Sequence, residues 1–123
     1  MTRKWLTAAT QYDGFPIYFR RPDIAVSKFD ELRKRYPLLL IITHHLDEVD
    51  DNGIPLAGYN DSLESFDMAI TDPFNDEQLG LVGLIETFAG KRTYYIYVSS
   101  LLEPKGFREN ISDQFPDFHI DWK

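Results

Sequence analysis

The 123-residue chain contains no cysteine, which excludes disulfides and thiolate chemistry and leaves only His and carboxylates to build a zinc site. No stretch approaches the roughly 18 consecutive apolar residues of a membrane span. The N-terminal MTRKWLTAATQYDG is charged but runs into no apolar leader core. These absences predict a cytoplasmic protein with no membrane partner. Residues 37–90 lack Lys and Arg entirely while carrying eleven acids, against eight basic and four acidic side chains in 1–36 and five of each in 91–123, for a net charge of -7. An acidic middle third repels phosphate backbones, so no nucleic-acid partner is expected. Neither a glycine-rich phosphate loop nor a Ser-His-Asp order occurs, and no cofactor is expected.

What the chain does have is packing material. Hydrophobic residues make up 43% and aromatic residues 15%, enough for one self-folding domain spanning 1–123. Leu79 to Ser100 reads as a β-hairpin, two aliphatic and β-branched runs broken at Ala89-Gly90-Lys91-Arg92, where Gly90 can take a positive φ. A second hairpin is predicted from Trp5–Thr10 and Ile17–Arg20 about Asp13-Gly14. Ser27 with Asp30 three residues on predicts a helix start, Phe29, Leu32 and Tyr36 share a face, and Pro37 stops it. Leu38–Leu46 is apolar at both parities for five residues, as in a strand covered on both faces. After an acidic loop, Asp61 with Glu64 predicts a second helix start, with Leu63, Phe66, Ile70 and Phe74 on one face. A third helix near Pro104–Gln114 carries Phe107, Ile111 and Phe115 at i, i+4 and i+8, and Phe118–Trp122 alternates as a last strand.

From Leu38 the order is strand, helix, strand, strand, helix, strand. That predicts an α+β fold with a ferredoxin-like split βαβ core over about 38–122. The N-terminal β-hairpin and short helix would extend its sheet or cover the face left open by the later helices.

The set Trp5, Asp13-Gly14 with Pro16, Tyr36-Pro37, Gly53-Ile54-Pro55, Leu63-Glu64, and Thr87 followed by Gly90, Arg92, Tyr95 and Tyr97 resembles the bacterial domain-of-unknown-function family 695 over nearly the whole chain. The resemblance brings no settled activity. Its members are sometimes joined to a domain like the B-type regulator of ribonuclease E activity, an acidic ferredoxin-like inhibitor, which implies regulation by binding.

Candidate chemistry starts with the histidines. His44 and His45 point to opposite faces of a strand, so they cannot share one ion. His45 shares a face with Asp47, and His119 with Asp121; pairing of the first and last core strands would bring all four together as a divalent-metal or acid/base set. The competing reading is a solvated polar edge. Glu48, Asp50 and Asn52 before Gly53 imitate a calcium loop, but Tyr59 at the twelfth position and Pro55 argue against it. Glu86, taken to share a face with Val82 and Leu84, is either exposed or a buried acid paired with Arg92. Tyr95 and Tyr97 are read as core residues with hydroxyls at the rim, and Gly80 and Gly83 as bulge or close-packing positions. The leading expectation is a binding domain that recruits a basic protein partner through Glu48, Asp50, Asp51, Asp61, Asp76 and Glu77. The alternatives are a small enzyme built on His45, Asp47, His119 and Asp121, and a homodimer joined through its sheet faces.

Overall fold

A computed structural model of the chain describes residues 5–51, 53–74, 79–99, 102 and 104–123. In chain order they form β1 (Trp5–Tyr12), β2 (Phe15–Pro22), α1 (Val26–Arg35), β3 (Leu38–His45), α2 (Ala57–Ser62), α3 (Glu64–Thr71), β4 (Gly80–Phe88), β5 (Lys91–Val98), α4 (Pro104–Gln114) and β6 (His119–Trp122), with a 3-10 turn at Asp72–Phe74 after α3. The fold is α+β, a six-strand antiparallel sheet and four helices among the described residues, with strand order β1-β2-β4-β5-β3-β6.

Both hairpins turn where backbone chemistry requires. Asp13 and Gly14 have φ of 53° and 81°, and Ala89 and Gly90 have 54° and 80°, the paired positive values of a tight turn that matches strand twist. Gly53, at φ 78°, docks its loop onto the second turn: the Gly90 amide donates to its carbonyl at 2.8 Å, and a Cβ there would lie 2.6 Å from the Gly90 nitrogen. Only glycine fits such an approach.

The N-terminal segment does both things expected of it. Its hairpin extends the sheet through β2 against β4, and α1 covers part of one sheet face, packing Leu32 and Tyr36 on Leu81 with Phe29 edge-on to Tyr97. The other face holds the main core, where Phe66, Ile70 and Phe74, from α3 and the 3-10 turn after it, and Ile111 from α4 cover Ile42, Val82, Ile85, Tyr94, Ile96 and Val98. We call these the open face and the helical face.

Several local expectations are corrected. The first helix is capped at Ala25 with no side-chain hydrogen bond, so Ser27 lies within its first turn and forms no capping box. The second begins at Ala57, so Asp61 is inside α2, and Leu63 separates α2 from α3. β3 is not covered on both sides at its start: Leu39, on the open face, is 46% exposed because α1 sits over Leu81 and Tyr97 and stops short of it, and Leu38, on the helical face opposite Val98, is 52% exposed. A register shift between Val82 and Leu84 makes Gly83 a bulge, as its place in the strand suggested. The extra residue puts Val82 on the helical face and Leu84 with Glu86 on the open one.

Candidate functional site

β3 and β6, far apart in sequence, pair so that His45 lies opposite His119 and Thr43 opposite Asp121. Directly opposed residues share a face, and Ile120 and Trp122, packed against the core, hold the alternate positions on the helical side. The result is a cluster on the open face. His45 Nε2 and Asp121 Oδ2 share a hydrogen bond of 2.6 Å, the His45 and His119 rings stack with centroids 4.3 Å apart, and one ligand atom from each residue falls within 4.8 Å of the others. The bond to His45 holds the Asp121 carboxyl below the usual carboxylate range, with the positive charge of nearby groups helping. Three of the four residues expected to meet therefore do so.

Asp47 does not join them. After Leu46, whose amide donates to the Gly90 carbonyl, the chain bends and strand alternation ends, and the Asp47 amide instead donates to the Tyr59 hydroxyl at 3.0 Å. His44 points the other way into the core. It is 1% exposed and stacked on Phe118, its Nδ1 has no partner, and burial, reinforced by the charge of Arg92, lowers its pKa to about 4. It is a neutral core side chain.

The helical face has a site of its own. A cleft of about 500 Å³ opens between the N-terminal hairpin and the α2–α3 turn, walled by Thr7, Tyr18 and Arg20 on one side and by Asn60, Asp61, Glu64 and Asp67 on the other, with Ile85, Thr87 and Arg92 from the sheet. Its cations are already engaged. Arg20 reaches Asp67 Oδ1 at 2.5 Å with its guanidinium carbon 5.4 Å from the centre of the Trp5 ring, and the Tyr94 hydroxyl donates to the same oxygen at 2.9 Å. Burial, then the Asp67 charge, push the Tyr94 hydroxyl well above its ordinary pKa, so it remains a donor. Arg92 donates through Nε to the Thr87 hydroxyl and through a terminal nitrogen to Asn60 Oδ1, at 3.0 and 2.9 Å.

Sequence reasoning missed this cleft, because the contacts that build it join residues far apart in the chain, 47 positions for Arg20 and Asp67. One signal was available: Ile54, Pro55, Leu63, Glu64, Thr87 and Arg92, quoted above for the resemblance, all line it. The expected pairing of Glu86 with Arg92 is excluded, since Glu86 lies opposite Thr93 on the open face and Arg92 opposite Thr87 on the helical one. Tyr95 and Tyr97 are half-buried on the open face, and Tyr94 is the tyrosine of the main core. The acidic candidates are dispersed. Asp61 is at the cleft, while exposed Glu48 and Asp51 belong to the loop docked on the hairpin turn, where Asp50 accepts the Ile54 amide at 3.1 Å. Asp76, Glu77 and Asn52 lie outside the described residues.

These features define a small α+β sheet domain with a ligand-sized cleft on one face and a histidine–carboxylate cluster on the other. Among the described residues no helix is long and apolar enough to cross a membrane. The family of unknown function DUF695 matches residues 3–123, and the chain belongs to that family. Nothing among the curated proteins and nothing among the solved structures matches it.

Proposed function

We propose that this is a cytoplasmic binding domain rather than an enzyme, and that its ligand is a basic segment of a protein partner held in the helical-face cleft. The observation that carries the reading is the unequal engagement of charge in the cleft. Arg20 is spent on Asp67, and Arg92 on Thr87 and Asn60, whereas Asp61 and Glu64 are exposed at the mouth. The mouth therefore presents negative charge to a cationic side chain, and the surrounding Lys- and Arg-free block steers such a partner toward it. β1, an edge strand beside the cleft, offers backbone groups along which an extended segment can lie. The strand order β4-β5-β3-β6, antiparallel throughout, supports a ferredoxin-like split βαβ reading of the core, to which the N-terminal hairpin is an addition.

The test is a titration of isotope-labelled protein with an unstructured Lys-rich peptide and with its Glu-for-Lys counterpart, following backbone amide shifts. Saturable shifts are expected at Thr7, Ala8, Asn60, Glu64 and Thr87 for the basic peptide alone. They should weaken with salt and vanish when Asp61 and Glu64 are both changed to Lys. Shifts confined to Glu48–Asp51, or none that saturate, would overturn the reading.

A further inference from the structure

The cluster on the open face has no part in the cleft, since neither His45, His119 nor Asp121 is among the cleft's walls. We propose that His45, His119 and Asp121 form a binding site for a divalent late-transition metal of the zinc class, with one coordination position left to solvent.

Donor chemistry selects the metal. Two imidazoles and one carboxylate suit zinc, cobalt or nickel and do not suit magnesium or calcium, which prefer all-oxygen shells. Three protein ligands with one open position is the arrangement of zinc sites that hold water or an exchangeable ligand. The geometry is close to what an ion needs. The three donor atoms already lie within 4.8 Å of one another, and ligand bonds of about 2.0–2.1 Å to each would bring them to just over 3 Å apart. The 2.6 Å hydrogen bond between His45 and Asp121 opens slightly, and the His119 nitrogen closes in. Both adjustments are side-chain rotations, because the backbone positions are fixed by the β3–β6 ladder.

Position and access favour the same conclusion. His119 and Asp121 are exposed and His45 is half-buried, so an ion can enter without moving the core. The His45 and His119 rings stack 4.3 Å apart, so both imidazoles lie beside the same point on the surface. Lys91, the β5 neighbour of His45, opposes a cation at this place, and the Asp121 carboxylate offsets it.

Chelator-stripped protein is melted with and without Zn²⁺, Co²⁺, Ni²⁺ and Mg²⁺, beside the single variant Asp121→Asn and the double variant His45→Ala/His119→Ala. Bound at a hundredfold excess over its dissociation constant, an ion specific to the folded state raises the melting temperature by at least about 5 °C. That rise is expected in wild type with Zn²⁺, Co²⁺ and Ni²⁺ and not with Mg²⁺. Measured against its own metal-free melt, Asp121→Asn should lose most of the rise, with the double variant losing all of it. Calorimetric titration should give one Zn²⁺ per chain, and Co²⁺ should give the visible absorption of a four-coordinate site. No rise with any of the three ions, or an equal rise in Asp121→Asn, would overturn the proposal whatever the cleft binds.

Discussion

The two faces of the sheet carry comparable polar groups and hold them in opposite ways. On the helical face, Asp67 is 16% exposed and is fixed by two donors from different elements, Arg20 from β2 and Tyr94 from β5. On the open face, Asp121 is exposed and is positioned mainly by strand register, with one hydrogen bond to His45. A half-buried carboxylate left without donors costs desolvation energy, so the helical face compensates its charge within the protein. The open face leaves its groups available to an external ligand. Changes at Asp67 should therefore register in stability, and changes at Asp121 in the binding of an ion.

The largest effect tests the core beneath the helical face. Phe66 is fully buried and ringed by His44, Tyr94, Phe115 and Phe118, so Phe66→Ala should cost about 3–5 kcal/mol in chemical denaturation. Next comes acid. The His44 pKa falls from 6.5 to about 4 on folding, mainly through burial and then through the charge of Arg92, with Asp47 opposing and His45 and His119 adding to the fall. The unfolded chain therefore binds the proton first. The contribution is fully present above about pH 6.5 and is lost as the pH falls toward 4, about 3 kcal/mol in all. Denaturation of metal-free protein across that range should show the decline, and His44→Leu should flatten it. Asp67→Ala strands Arg20 and the Tyr94 hydroxyl and should cost about 2 kcal/mol, read from the urea midpoint. Smallest of all is Leu39→Ala on the open face, expected below about 1 kcal/mol because the side chain is nearly half exposed. A cost for Leu39→Ala near that of Phe66→Ala would break the comparison, since it would mean that a second copy covers the open face in solution.

Much of the local structure was legible. Asp13-Gly14 and Gly90 marked the turns because few other residues tolerate positive φ, and Phe118, Ile120 and Trp122 set the orientation of His119 and Asp121 because strand side chains alternate. Glu86 and Asp47 depart from expectation for one shared reason. Alternation predicts a face only while the strand continues, and it was carried through the Gly83 bulge to misplace Glu86 and past the end of β3 to include Asp47. Helix starts were misread at Ser27 and Asp61 because a capping pattern is common inside a helix as well as at its end. Arg20 and Asp67, with nothing local to link them, could not be joined at all.

Local chemistry was enough for the two hairpins, the amphipathic helix carrying Ile111, the acidic middle third and the common facing of His119 and Asp121. All of these follow from backbone preference, side-chain periodicity or charge within a few residues of one another. Long-range packing was needed to settle that the N-terminal hairpin joins the sheet through β2 beside β4, that α1 stops short of Leu39, and that Arg20, Asp67 and Tyr94 meet in one cleft. Those contacts depend on how whole elements pack, and the free energy that selects one packing belongs to the assembled core rather than to any segment of it.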